Sequence, residues 1–311
     1  MLAYYFRTLK DKEIKEISTP RVGMWIYVET LTEKEIAELV DKHGLDRGLL
    51  EDANDFFEVP RFEHHGSVSY LFTRYPTVDE KSGEVITKPI LLAVGEDFVL
   101  TASFGKPPFF KLFFSAGTRK IELYTTQKAK FFISVMHAIT AEYTRSFITI
   151  RKEVRESRVP LDKITDKDLE QFVKYENTVN DYISSLVPTN IALIRLRAGK
   201  HLPLFKEDEE IMEDMLLANS QLVENGKALL KSIQNIKNAY MTVMSTKLNT
   251  TVRTLTALTI LLTIPTIVSS LFGMNVPLPL RDHPLAFWAV IAIIMISAGV
   301  IGFLFARNKW I

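Results

Sequence analysis

The 311-residue chain has no cysteine. Disulfides, thiolate metal sites and cysteine nucleophiles are therefore excluded. Charge is missing from two long stretches. Residues 254–280 carry no Asp, Glu, Lys or Arg, and residues 284–306 carry none either; only Arg281, Asp282 and His283 separate them. A strongly basic face is also lacking. The first 253 residues hold 36 of the 37 acids and 35 of the 38 bases, a near-neutral balance typical of a water-soluble domain and not of a nucleic-acid binder. The opening residues, Met1 to Arg7, lack a basic stretch followed by an apolar core. They do not read as a signal peptide, so the N-terminal part is expected in the cytosol. With no nucleophile–base pair, phosphate loop or metal-ligand cluster in the pattern, neither enzymatic chemistry nor an organic cofactor is expected.

A helix needs about 20 mostly apolar residues to cross the hydrocarbon layer of a membrane. Thr254–Phe272 gives 19 uncharged residues and Pro284–Ala306 gives 23. The alternative, a hydrophobic hairpin inside a soluble core, suits runs of this length poorly. Lys247 and Arg253 precede the first run, Arg307 and Lys309 follow the second, and Arg281 alone lies between. The positive-inside rule then puts both ends of this pair in the cytoplasm and the short connector outside. The first run carries a polar stripe at heptad spacing: Asn249, Val252, Thr256, Thr259, Thr263, Thr266 and Ser270. Polar groups at membrane depth need partners or water. Two readings remain open, close helix packing and a wet pore lined by hydroxyls. The second run has Ser297 as its only polar member and reads as a lipid-facing helix.

Ahead of the membrane part, short β-type runs alternate with turns between Met24 and about Thr101, as in Trp25–Val28, Val68–Phe72, Ile90–Val94 and Phe98–Thr101. Asp79–Glu84 reads as a hairpin turn, and Thr32–Glu35 as a capping box opening a helix. After about Thr126 the three- and four-residue periodicity of Phe131, Phe132, Val135, Met136, Ile139, Tyr143, Phe147 and Ile150 predicts helix. A second helix, capped by Thr165–Asp168, runs to Pro188. A third begins in the acidic run Glu207–Glu210 and shows no stop, Gly226 being the one weak point before Pro265. Continued to residue 272 it would be roughly 100 Å long. Such a rod cannot bury its stripe alone and should associate around an axis.

The first span ends in Ser269-Ser270-Leu271-Phe272-Gly273-Met274-Asn275. Gly-Met-Asn directly after a membrane helix, with a second span and a short basic tail behind it, resembles the CorA family of divalent-cation channels. Leu50-Glu51-Asp52, Val59-Pro60-Arg61-Phe62-Glu63 and Tyr70-Leu71-Phe72 resemble that family's N-terminal segment, and Asn308-Lys309-Trp310-Ile311 its usual end. The resemblance implies a funnel-shaped homopentamer in the cytoplasmic (inner) membrane, with both termini cytosolic. Its fold would be an α+β cytosolic domain with a small mixed sheet (1–160), a helical stalk (161–250) and a membrane domain (251–311). The last would comprise a span at about 252–272, an external loop at 273–284, a span at about 285–306 and a tail at 307–311.

The resemblance further implies Mg²⁺ influx, with Gly273, Met274 and Asn275 as the selectivity filter. Mg²⁺ gives up its inner waters reluctantly, so amide oxygens at Asn275 and the backbone of Gly273 would bind the hydrated ion. By position against the motif, the pore-lining residues would be Asn249, Val252, Leu255, Thr259, Thr263 and Thr266, with Val252 and Leu255 as an apolar constriction able to gate by dewetting. A regulatory Mg²⁺ shared between subunits would fall on Asp214, with Asp79 as a rough placement of its partner. The partners implied are copies of the same chain, the lipid bilayer and divalent cations. Departures from the family pattern bear on ion preference: the motif is followed by Val276-Pro277-Leu278-Pro279-Leu280, and Asp282 is the only acid of the loop. Alternatives are a Zn²⁺, Co²⁺ or Ni²⁺ transporter of the same superfamily, or a non-conducting membrane-anchored sensor. His64-His65 could ligate a metal, but neighbours in a strand point to opposite faces.

Overall fold

The computed structural model describes residues 1–79, 83–114, 123–156, 164–199, 201–202, 204–274, 284–308 and 310. The chain divides into two units, Met1–Val159 with Thr165–Asn235, and Pro160–Ile164 with Ile236–Ile311.

The first unit is built on a seven-stranded mixed sheet. Its strands are β1 (Leu2–Phe6), β2 (Lys15–Glu16), β3 (Met24–Glu29), β4 (Arg61–His65), β5 (Val68–Val78), β6 (Val85–Val94) and β7 (Phe98–Ser103), in the order β2-β1-β3-β7-β6-β5-β4. All pairs are antiparallel except β3 with β7. β1 and β2 precede the region in which strands were expected. β1, Leu2-Ala3-Tyr4-Tyr5-Phe6, is apolar or aromatic throughout and so shows no two-residue alternation.

The central strands are buried on both faces, and each face has its own cover. Met24, Ile26, Val28, Tyr70, Phe72, Leu91, Leu100 and Ala102 form one core with residues of α1 (Glu33–His43) and α2 (Arg47–Asp52). Thr32 and Glu35 make the expected capping box on α1. The alternate residues face an aromatic layer. Trp25 lies against Phe110, Phe113 of α3 (Lys111–Phe114) and Phe131 of α4 (Lys128–Glu156), with ring centroids 5.2–6.4 Å apart. The indole N–H donates to Thr101 Oγ1 at 2.8 Å, which answers the one polar atom a buried tryptophan carries.

The next helix, α5, spans Asp166–Ala198 and begins at the expected Thr165 capping box. It does not stop at Pro188. Proline forfeits one backbone bond, but Leu186, Ala192, Leu193 and Leu196 on either side are buried, and Thr189 bonds Thr73 of β5 at 2.9 Å. Tertiary burial outweighs the local penalty.

The last two helices are α6 (Lys206–Phe272) and α7 (Ala286–Arg307). α6 is unbroken for 67 residues, as the missing stop signal predicts. Gly226 is explained by packing. A Cβ there would stand 3.1–3.2 Å from Ile183 of α5 and Phe147 of α4. Here the three helices meet at a residue with no side chain.

Candidate pore and ion sites

In the second unit, α7 and the C-terminal part of α6 are each long and apolar enough to cross a membrane. α6 there shows two opposed stripes. Ala257 is fully covered, and Leu261, Ile264 and Val268 are half-buried. On this side Leu261 meets α7, its Cδ2 lying 3.8 Å from where a Cβ on Gly302 would be. At about 100° per residue, Val252, Leu255, Thr259, Thr263 and Thr266 lie on the opposite side, with Asn249 and Thr256 at its edge. All are exposed in the single chain.

The threonines are bonded in one sense only. Each hydroxyl donates to the carbonyl four residues back: Thr256 to Val252 (2.8 Å), Thr259 to Leu255 (2.9 Å), Thr263 to Thr259 (2.8 Å) and Thr266 to Leu262 (3.1 Å). The hydroxyl hydrogens are spent on the helix, and the oxygen lone pairs remain to face outward. A stripe of such oxygens accepts hydrogen bonds from water, and the water around a cation points its hydrogens outward.

α6 closes at Gly273, whose N–H bonds Ser269 O at 2.9 Å, followed by Met274 N–H to Leu271 O at 3.3 Å. A Cβ on Gly273 would lie 3.3 Å from the Ser269 carbonyl, a crowding that glycine avoids. Asn275, the third member of the expected filter, lies outside the described residues, as does Asp282. At the other end of the pair, Trp310 stacks on Phe305 with centroids 5.4 Å and planes 8° apart, and Arg253 stands 6.0 Å from the Trp310 ring centre.

The two acids assigned to regulation lie on different elements of the first unit. Asp79 directly follows β5 at the β5–β6 turn, its N–H bonding Glu84 O and its carbonyl accepting from the Gly83 N–H, both at 2.8 Å. Gly83 takes φ +69°, the left-handed conformation that such a turn requires. Asp214 is exposed on α6 and lines a groove of about 490 Å³ against α4, with His137, Thr140, Arg145 and Met215. No ion pair engages Asp214 among the described residues. Nor do they include a group of three or more histidines or acids placed to hold a metal. Sequence reasoning missed the groove, because its α4 wall is some seventy residues away along the chain.

His64 and His65 point apart, as strand geometry requires. His64 Nδ1 bonds Ser69 Oγ at 3.1 Å and its ring lies tilted against His201 with centroids 4.2 Å apart, while His65 Nδ1 pairs with Asp46 Oδ2 at 2.7 Å.

Comparison with known proteins adds a family. The model of the CorA-like Mg²⁺ transporter proteins matches residues 22–307. The cobalt/magnesium transport protein CorA of Methanocaldococcus jannaschii is 23% identical over 310 residues, 98% of this chain and 96% of that protein. The complete structure of the CorA magnesium transporter from the same organism superposes with a TM-score of 0.82 at 21% identity, covering 100% of this chain and 99% of that one. The full-length CmaX protein superposes with a TM-score of 0.77 at 16% identity, covering 100% and 98%.

Proposed function

Because the chain belongs to the CorA-like Mg²⁺ transporter family, we propose that it is a homopentameric channel admitting Mg²⁺ through the cytoplasmic membrane. Members of this family are divalent-cation transporters and not enzymes. The finer reading rests mainly on one observation: α6 turns Thr259, Thr263 and Thr266 away from the side that meets α7 and leaves them exposed. A stripe of hydroxyl oxygens with lone pairs left over is better served by water than by lipid. Five copies with this stripe inward enclose a wet axis, with α7 as the outer ring. Asn249, Val252 and Leu255 line its inner end, and Gly273, Met274 and Asn275 form the filter at its outer mouth. The basic residues Lys247, Arg253, Arg307 and Lys309 place both termini on the cytosolic side.

Hydrated Mg²⁺ suits such a wall. The ion keeps its first waters, and those waters donate outward to threonine oxygens and asparagine amides. Since residues 254–280 and 284–306 contain no ionisable Asp, Glu, Lys or Arg, the membrane potential drives entry and no proton path is built in. Co²⁺ is a second cargo worth assaying, since the M. jannaschii relative is named for both metals.

Cytosolic Mg²⁺ is also the regulator in this reading. The exposed Asp214 carboxylate, in no ion pair among the described residues, fits a hard cation that retains part of its water shell, and Asp79 of a neighbouring subunit would complete the pair. Two such acids repel until a cation joins them. The ion therefore favours the closed, packed pentamer, and its loss releases the subunits.

The test is growth of a Mg²⁺-auxotrophic bacterium carrying the parent or Asn275→Ala. Rescue by the parent alone is expected. Equal rescue by both removes the filter assignment, and no rescue by either removes Mg²⁺ as cargo.

A further inference from the structure

Arg253 has an unusual neighbourhood. The sequence holds no Asp or Glu from residue 225 to residue 281, and no carboxylate pairs with Arg253 among the described residues. What it meets is the face of Trp310, at 6.0 Å from the ring centre. The ring itself is fixed. The indole stacks on the Phe305 ring, and the backbone N–H of Trp310 donates to Phe305 O at 2.9 Å. A guanidinium over a tryptophan face is an attractive contact in its own right. Here it joins the cytosolic end of one membrane helix to the tail of the other.

The position of Arg253 gives the contact a consequence. It lies one residue after Val252 and two before Leu255, the apolar constriction of the proposed pore. Residues two apart on a helix are about 200° apart around it. A helix whose Arg253 is held on the α7 side therefore carries Leu255 on the far side. We infer that Trp310 is a positioning residue for the constriction: by holding Arg253, it sets the rotation of α6 at which Leu255 faces the axis. The inference rests on the pore reading for its functional consequence, but the contact is testable without it.

In proteoliposomes loaded with a Mg²⁺-sensitive dye, Trp310→Ala and Arg253→Gln should each change the initial rate of Mg²⁺ entry by about fivefold. The double variant should do no more than either alone, because each removes the same contact. Trp310→Phe and Arg253→Lys, which keep a ring face and a positive charge, should stay within about twofold of the parent. Effects that multiply in the double variant, or a Trp310→Phe as impaired as Trp310→Ala, would overturn the inference. So would single variants that match the parent. The cysteine-free chain allows a second measurement. Arg253→Cys with Trp310→Cys, treated with a short bis-maleimide, should gain one linker within a single chain. A linker joining two chains, or none, refutes the contact. If the parent admits no divalent cation, the pore reading fails by itself and the cross-link alone decides the contact.

Discussion

Thr140 Oγ1 stands 3.1 Å from Oδ1 of Asn219, and its single hydrogen is shared with the carbonyl of Met136, also 3.1 Å away. Asn219 is buried between α4 and α6, and its Nδ2 has no hydrogen-bond partner among the described residues. A buried donor without an acceptor is a cost. Asn219→Leu removes that donor while leaving Thr140 its Met136 carbonyl, so thermal stability of the solubilised protein should hold or rise. Thr140→Val strands the Asn219 carbonyl too, and should destabilise by about 1–3 kcal/mol. Adding Asn219→Leu to Thr140→Val should recover most of that loss. A double variant as unstable as Thr140→Val would show that packing, and not the stranded amide, governs this position.

Asp181, exposed on α5, titrates above its ordinary value because partial desolvation in its groove disfavours the charge, an effect the field of Arg74 only partly offsets. Arg74 has little to give. Its donors are taken by Thr87 and by the carbonyls of Phe56 and Glu58. An acid with a raised folded pKa binds more protons folded than unfolded. Its contribution is thus most favourable below the ordinary carboxylate pKa and is lost as pH rises through the elevated one. Asp181→Asn should be more stable than the parent at pH 7, and the difference should shrink as the pH falls into the carboxylate range. Denaturation midpoints at several pH values would show it; a difference independent of pH would assign the effect to something other than this charge.

If the threonine oxygens carry the hydrated ion, shape without oxygen should not replace them. Thr259→Val with Thr263→Val keeps side-chain volume and removes two rings of acceptors from a pentamer. Mg²⁺ entry into proteoliposomes should fall by at least about tenfold, while Thr259→Ser with Thr263→Ser should conduct near the parent rate. A valine double variant that conducts normally would return the stripe to the role of helix packing.

The Mg²⁺ clamp proposed at Asp214 and Asp79 can be tested outside the membrane. Millimolar-range Mg²⁺ should protect the cytosolic part from proteolysis, and Asp214→Asn should abolish the protection. Asp79→Asn should weaken it if the β5–β6 turn of a neighbour supplies the second carboxylate. Equal digestion of the parent with and without Mg²⁺ would count against the clamp.

Much of this architecture is legible in the residues. The two spans declare themselves by missing charge, and the Thr32 and Thr165 caps by a three-residue spacing that only a helix start uses. The length of α6 follows from the lack of any stop signal between Glu207 and Pro265, and the helix runs on through that proline to Phe272. Other features are not local and leave no local trace. The parallel pairing of β3 with β7 joins segments some seventy residues apart. α5 continues through Pro188 because Leu186 and Leu193 are buried against other elements, which no window around the proline reveals. The groove at Asp214 exists only once α4 lies beside α6. The Arg253–Trp310 contact needs the two membrane helices side by side, and the sequence offers only a lone arginine and a terminal aromatic.

The back-bonded hydroxyls of Thr256, Thr259, Thr263 and Thr266 carry one more implication. A wall that has committed its hydrogens offers nothing for chloride or phosphate to accept. In the proposed pore, discrimination by sign of charge would come from the direction in which neutral groups are bonded, without a fixed Asp, Glu, Lys or Arg between residues 254 and 272, and a salt gradient should leave the anion behind.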